Sequence, residues 1–210
     1  MTKLTRSLCC SALLALFTTT ASQAAGPWSA RLRATYLETV DKSDAFTALG
    51  INFAENAVAV SDRFIPEIDV DYAFTDAWSA ELVLTIPQKH KVTLAGIGQL
   101  GTFKHLPPTL LAKYRANPGG AVRPYFGAGL NFTLIWGGNL SVAGVPLALD
   151  KFSVGLAAHG GVDIKLDDRW TMNVDVKRAA LRTDVSAGGT KLTEARLDPW
   201  LYSVGASHAF

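Results

Sequence analysis

Residues 67–86, EIDVDYAFTDAWSAELVLTI, contain the pattern that decides the fold. Apolar side chains, most of them large, occupy every second position on both sides of a short turn at residues 75–77. The positions between them are mostly acidic, polar or small. A period of two indicates β-strands, because successive side chains of a strand point to opposite faces. The stretch therefore predicts two antiparallel strands joined by a tight turn.

The same alternation divides the whole chain into candidate strands. It covers residues 28–36, 68–74, 78–86, 106–115, 122–136, 152–166, 170–177 and 200–210. The connections near residue 76, at 117–120 and at 167–169 are short, whereas those at 39–64, 88–104, 137–151 and 183–194 are long. An even number of strands with this alternation of turns is typical of bacterial outer-membrane barrels. We therefore predict an all-β fold: an eight-stranded antiparallel transmembrane β-barrel with short periplasmic turns and long extracellular loops.

Aromatic residues indicate which face of the sheet points outward. A soluble eight-stranded barrel is the alternative, and it would bury its apolar face in the interior. Here aromatic residues lie near both ends of the strands, as in the interfacial girdles of membrane barrels, which places the apolar face against lipid. They are Trp28, Tyr36, Trp78, Tyr114, Trp136, Trp170 and Tyr202.

The opposite face carries charged residues of both signs into the predicted lumen. They are Arg31, Arg33, Glu67, Asp69, Asp71, Glu81, Lys113, Arg115, Asp163, Lys165, Asp175 and Lys177. Opposite charges in a narrow lumen must pair or stay hydrated, so we expect ion pairs that plug its lower part. Nearer the outer ends the inward positions Val83, Leu111 and Ile135 are apolar. They either line an apolar pocket or simply fill the interior.

The first 24 residues read as a cleaved export signal, which leaves residues 25–210 for the barrel. Lys3 and Arg6 precede a short apolar run, and small residues follow at the expected cleavage site. Cys9 and Cys10 lie inside this run, which argues against a lipoprotein anchor and removes both cysteines from the mature chain. The mature chain keeps 18 basic and 18 acidic residues, so it has no basic excess for binding nucleic acid. We expect it in the cell outer membrane.

Several strings in the mature chain resemble one known family. They are Ile86-Pro87 with His90-Lys91, HLPPT at 105–109, RPYFGAGLNFT at 123–133 and RLDPW at 196–200. In this order they resemble the outer membrane protein W (OmpW) family, and the resemblance runs from residue 28 to residue 210. Its motif residues are His105, Leu106, Arg123, Tyr125, Gly127, Gly129, Arg196, Asp198, Pro199 and Trp200. Residues 177–182, KRAALR, are more basic than the family pattern.

The resemblance implies a narrow barrel whose outer half is hydrophobic inside and which takes up small hydrophobic molecules. The expected partners are outer-membrane lipid and lipopolysaccharide, small hydrophobic solutes, and the assembly machinery, which would read the terminal Phe210. Proline lacks a backbone N–H and weakens a β-ladder, so prolines near the outer strand ends suggest a sideways exit into the membrane. The hypothetical substrate path is Val83, Pro87, Pro107, Pro108, Leu111 and Ile135.

Two other functions remain open from the sequence. A lipid-modifying enzyme would need a hydroxyl nucleophile within reach of His105 and an acid behind it, for which Thr109 and Asp198 are candidates. The third possibility is a structural or receptor barrel without transport. No catalytic constellation stands out, so we predict a protein that is not an enzyme and needs no cofactor. His90 and His105 flank the second long loop, but their spacing matches no metal motif, and we predict no metal.

Overall fold

The computed structural model describes residues 26–48 and 50–210. The predicted signal peptide, residues 1–24, lies outside the described residues together with both cysteines. The strands in chain order are β1 (Trp28–Glu38), β2 (Lys42–Ser43), β3 (Phe46–Ala48), β4 (Ile51–Phe53), β5 (Val58–Val60), β6 (Arg63–Ala73), β7 (Trp78–Thr85), β8 (Gln88–Leu94), β9 (Gly98–Leu106), β10 (Thr109–Arg115), β11 (Val122–Val142), β12 (Val145–Leu149), β13 (Phe152–Lys165), β14 (Trp170–Ala179), β15 (Arg182–Ala187), β16 (Thr190–Arg196) and β17 (Trp200–Ala209).

Eight of these strands form a closed antiparallel barrel. The order around the wall is β1, β6, β7, β10, β11, β13, β14 and β17, and β17 returns to β1. The first and last strands pair along their whole length, from Ser29 opposite Ala209 to Glu38 opposite Trp200. The predicted eight-stranded barrel is therefore confirmed.

The long connections are more regular than the sequence suggested. Strands β8 and β9 form a hairpin, as do β15 and β16, while β11 continues to Val142 and folds back through β12. These hairpins extend the wall above the barrel on its extracellular side. The fourth predicted strand began at Leu106, but Leu106 ends β9, and Pro107 and Pro108 separate it from β10.

Inward and outward faces follow the predicted alternation. Leu32, Val174 and Val204 are about half exposed on the outer wall, whereas the charged residues between such positions are buried in the lumen. Two predicted lumen residues differ: Arg115 is only partly buried, and Lys165 is exposed. Lys165 lies at the periplasmic end of β13, where its ammonium reaches Asp168 of the following turn at 2.8 Å. Inward charges and outward apolar residues are incompatible with the soluble alternative.

Aromatic pairs mark the two edges of the apolar wall. Trp28 meets Tyr72 at 4.8 Å between ring centroids near the periplasmic end, and Tyr36 meets Phe64 at 4.9 Å near the outer end. Rings at these heights sit in the lipid headgroup region. Among the described residues, no helix is long and apolar enough to cross a membrane.

The closed ladder predicts resistance to detergent. Every strand of the barrel has a hydrogen-bonded neighbour on both sides, so SDS should not unfold it without heat. We expect unheated and boiled samples to migrate differently in SDS gels, and circular dichroism to show mainly β-structure. Identical migration, or a helical spectrum, would contradict the closed barrel.

Candidate functional site

The outer hairpins enclose an apolar pocket. Its lining comes from strands of every extracellular connection and includes Phe46, Phe103, Leu140, Leu147 and Leu197. Only two of its lining residues, Thr183 and Thr193, have a polar side chain. Alternating apolar residues within the connections, as in LSV at 140–142 and VPLAL at 145–149, are the signal that sequence reasoning missed. This pocket is the strongest candidate for a hydrophobic ligand site.

The pocket is nearly filled by its own side chains. Its free volume is about 40 Å³, far below the ~300 Å³ or more of a typical small-molecule site. The pocket in this structure therefore has no room for a bound solute. A solute would have to separate the hairpins that carry Phe46, Phe103 and Leu147.

The predicted path residues do not form one group. Val83 and Leu111 pack with Ala157 and Ala179 in a small apolar cluster inside the barrel, whereas Ile135 belongs to the apolar cluster of the outer hairpins. None of these three predicted residues lines the pocket. They mark the wall between the pocket and the lower lumen rather than the pocket itself.

A histidine pair lies directly below the pocket. His90 and His105 are fully buried, and their Nε2 atoms are 3.1 Å apart. The Nδ1 of His90 is 2.6 Å from the carbonyl oxygen of Ser61 and must donate to it, so the Nε2 of neutral His90 is an acceptor. His105 therefore carries its proton on Nε2, which also lies 2.9 Å from Oε1 of Gln88.

This tautomer leaves one atom of His105 without a partner. Its Nδ1 is a buried acceptor with no hydrogen bond. No group of three or more His, Cys, Asp or Glu residues within residues 26–48 and 50–210 could hold a metal ion. The pair is a neutral hydrogen-bonding layer, and burial is the main cause that lowers the pKa of His90 below its ordinary value.

Ion pairs fill the lumen below these layers. Arg33 is the centre of this plug: its Nη1 lies 3.1 Å from Glu67, 2.7 Å from Asp69 and 3.5 Å from Glu81. Lys177 reaches Glu67 at 2.9 Å, and Lys113 contacts both Asp71 and Glu81. Nearer the periplasm, Arg31 pairs with Asp71 at 2.9 Å and with Asp163 at 2.7 Å. The predicted ionic plug is present in the structure.

The aromatic ring of Tyr125 organises the plug. Its hydroxyl donates to Asp175 at 2.9 Å, and the cations of Arg31 and Lys113 lie 5.3 and 5.5 Å from the ring centroid. His159 also contacts Asp175, at 3.0 Å. The motif residue Gly127 makes room for this histidine, because a Cβ there would lie 2.4 Å from Nε2 of His159.

The remaining motif residues are spread over the molecule. Gly129 allows close approach of the strands, since a Cβ would lie 1.9 Å from the carbonyl oxygen of Leu110. Arg123 is at the periplasmic mouth and donates to Thr171 at 3.2 Å. In the outer string, Arg196 pairs with Glu194 at 2.7 Å, and Asp198 accepts the N–H of Leu181 at 3.0 Å.

The last two residues of the RLDPW string and the terminal Phe210 are part of the barrel wall. Pro199 is buried, and Trp200 stacks with the guanidinium of Arg178, whose central carbon is 5.0 Å from the ring centroid. The ring of Phe210 is half exposed, and its backbone N–H donates to the carbonyl of Trp28 at 3.0 Å. These residues maintain the barrel and its outer rim rather than one ligand site.

The ladder between β7 and β10 is interrupted beside the histidine layer. The last pair between β7 and β10 is Val83 with Thr109, and the next pair above it is Gln88 with His105. Pro87, Pro107 and Pro108 lie in the unpaired stretch between them. The carbonyl oxygen of Pro107 accepts hydrogen bonds from the Thr109 hydroxyl at 3.2 Å and from the Asn131 amide at 3.3 Å. These side chains replace the N–H of a neighbouring strand.

On the other side of these prolines, the pairing of β9 and β10 with β11 stays in register. Leu106 pairs with Leu134 and Thr109 with Asn131, and Phe132 donates its N–H to the carbonyl of Pro108 at 2.8 Å. The interruption beside these prolines therefore lies on the side of β7, not on the side of β11. We call this stretch, residues 84–87 and 106–108, the proline seam.

The arrangement that an enzyme would require is not formed around His105. Its side-chain partners are His90 and Gln88, whereas Thr109 bonds to Pro107 and Asn131. Asp198 lies instead at the turn that holds Leu181. The candidate nucleophile and acid are therefore not aligned with this histidine.

Comparison with known proteins adds independent information. The family model described as the OmpW family matches residues 24–210. The outer-membrane protein y4mB of Sinorhizobium fredii is 33% identical over 189 residues, which cover 88% of this chain and 80% of the relative. The dibenzothiophene metabolism operon protein PahQ of Pseudomonas aeruginosa is 31% identical over 193 residues, 88% of this chain and 89% of the relative.

A solved structure supports the same grouping. The crystal structure of the outer membrane protein OprG from Pseudomonas aeruginosa superposes with a TM-score of 0.75 at 27% identity. The match covers 90% of this chain and 97% of that chain. The two proteins thus share the barrel fold over nearly the whole length of both chains.

Removing the centre of the plug should destabilise the barrel strongly. Arg33→Met would leave Glu67 and Asp69 buried beside an apolar side chain, and breaking a buried pair in this way costs about 3–5 kcal/mol. Urea unfolding in lipid vesicles would measure the loss. Lys165→Met removes an exposed pair and is the matched control, for which we expect little change. Equal effects of both substitutions would contradict the structural role of the plug.

The neutral histidine pair predicts a pH dependence of the outer hairpin. Burial lowers the pKa of His90 below 6.5, so the unfolded hairpin binds a proton more readily than the folded one. Stability of β8 and β9 should therefore be unaffected above this pH and fall as the pH drops below about 6.5. Hydrogen exchange of their amides, corrected for intrinsic rates, would show it. The His90→Gln variant should weaken the dependence, and constant protection from pH 7.5 to 5 would contradict it.

Proposed function

The chain belongs to the OmpW family of outer-membrane proteins, and from this premise we propose that it passively admits small hydrophobic molecules. A solute enters the apolar pocket of the outer hairpins from the extracellular side. It then leaves sideways through the proline seam into the membrane rather than through the lower lumen. The protein acts as a binding barrel and conduit and carries out no chemical step.

The observation that carries this proposal is the apolar pocket standing above the ionic plug. A solute that buries about 200 Å² of apolar surface gains about 5 kcal/mol in such a pocket. Passage through the plug would separate several buried pairs around Arg33, and breaking each one costs about 3–5 kcal/mol. The free energy needed to open the plug therefore exceeds the free energy gained in the pocket, so a straight path through the lumen is unfavourable.

The proline seam supplies a sideways route at the right height. Ile135 is part of the apolar cluster around the pocket, and it pairs in the ladder with His105 at the upper edge of the seam. Pocket and seam therefore share this section of wall. On the lipid side, Ile86 and Leu134 are about half exposed, which gives the exit an apolar outer surface.

The relative PahQ supports the choice of solute class. Its name links it to an operon for the metabolism of dibenzothiophene, which is a fused aromatic and hydrophobic compound. The lining of the pocket, nearly all apolar and with Phe46 and Phe103 among it, suits a solute of this chemistry. We propose hydrophobic aromatic molecules as the solutes to test first.

Restoring the ladder should slow uptake. Pro107→Ala with Pro108→Ala returns one N–H toward β7 and one toward Phe132, which would close the proline seam while keeping the fold. We expect several-fold slower accumulation of radiolabelled dibenzothiophene in cells producing this variant. Pro118→Ala, in an exposed periplasmic turn, is the matched control and should behave like the unchanged protein.

Two outcomes would contradict the proposal at different points. Unchanged uptake in a double variant that still shows heat-dependent gel migration would exclude the proline seam as the exit. The alternative, that the prolines only end the strands, would then hold. Uptake that is equal in cells with and without the protein would exclude the conduit itself and favour a structural or receptor barrel.

A further inference from the structure

Two arginines of the basic string KRAALR lie on the lipid-facing wall, where the uptake path does not use them. On β14 the outward positions are Met172, Val174, Val176 and Arg178, and all four are exposed. Arg182 is exposed at the start of β15. Together with Arg178 it lines an open groove on the outside of the barrel.

The height of these arginines corresponds to the outer headgroup region. Arg178 lies eight residues beyond Trp170, which stands at the periplasmic end of β14. A strand that rises about 3.3 Å per residue with a tilt of about 40° carries it about 20 Å upward, in an apolar band about 25 Å tall. The long side chain can extend the rest of the way to the interface. Arg182 stands farther out still.

Both guanidinium groups lack an anionic partner in the protein. No carboxylate of residues 26–48 and 50–210 lies within 4.0 Å of either one. Two basic residues near them on the outer hairpins are paired instead: Lys191 reaches Asp184 at 2.6 Å, and Arg196 reaches Asp44 at 3.1 Å. Asp198 also lines the groove, but its carboxylate accepts the N–H of Leu181. Two unpaired cations therefore remain beside lipid.

The groove below them is shaped for hydrocarbon. Its floor consists of small residues of β11 and β13 and of Ala180, which follows β14, and larger apolar side chains flank it. The lining residues are Ala128, Gly129, Leu130, Leu156, Ala157, Ala158 and Ala180. Trp200 fixes the upper end, because its ring stacks with Arg178 at 5.0 Å and holds the guanidinium in place.

We propose that this groove binds a phosphorylated glycolipid of the outer leaflet, the lipid A part of lipopolysaccharide. Its phosphate groups would accept hydrogen bonds from Arg178 and Arg182, whose planar guanidinium groups match phosphate oxygens. An acyl chain would lie along the small-residue floor. The site is on the outside of the wall, so it does not depend on the proposed uptake of solutes.

Binding of lipid A to the purified barrel tests the site. Native mass spectrometry of the protein in detergent micelles would count bound lipid A during a titration. Arg178→Gln with Arg182→Gln should weaken binding about tenfold, because each substitution removes a charge-assisted hydrogen-bond donor set. Lys89→Gln with Lys91→Gln removes the same charge from exposed positions of β8 and should leave binding unchanged.

Lipid controls identify the source of the phosphate. Dephosphorylated lipid A and phosphatidylglycerol should both bind more weakly than lipid A. Heat-dependent gel migration verifies that each variant is folded. Arg182→Gln alone, which lies outside the barrel strands, is the second variant and should lose less affinity for lipid A than the double variant. Equal affinity of the double arginine variant, an equal loss in the lysine variant, or equal binding of phosphatidylglycerol would overturn the proposal. A dimer of the purified protein that buries the groove would also overturn it.

Discussion

The antiparallel ladder between β1 and β17 closes the sheet, and through it every barrel strand gains a hydrogen-bonding neighbour on both sides. Lipid offers no hydrogen-bond partners, so an unpaired strand edge at this depth would be very costly. Closure with eight strands also fixes the diameter. The interior is only wide enough to be filled by side chains, and the contents of the lumen follow from that width.

The narrow lumen is filled in layers of different chemistry. Near the periplasm, Arg31 and Arg33 connect carboxylates from several strands, and Tyr125 packs between the cations. Because these charges are buried together, each one depends on its partners, and the plug is rigid. Above it the histidine layer is neutral, and the pocket above that is apolar. In the proposed route of uptake, this order of layers would let an apolar solute pass from the extracellular side only as far as the proline seam.

Near the outer edge of the membrane, the barrel strands no longer need a complete ladder of backbone hydrogen bonds. There the carbonyl of Pro107 is satisfied by Thr109 and Asn131, so the wall tolerates a missing strand bond without leaving a buried polar group. Above this height the wall continues as hairpins that pair with one another, such as β9 with β11 and β12 with β15. On the opposite side of the barrel, the same zone carries Arg178 and Trp200, where the wall meets lipid headgroups.

The sequence by itself determined the barrel, because a period of two along each strand fixes which residues face lipid and which face the lumen. Alternation and turn spacing gave the strand number, the orientation of the charges and the ionic plug, and the motif strings gave the family. The pocket, the histidine pair and the position of the proline seam were decided only in the tertiary structure. Their residues come from connections far apart in the chain, such as Ser61, His90 and His105, or Phe46 and Leu197. Which connections meet depends on strand order and register around a closed wall, and no local pattern contains that information.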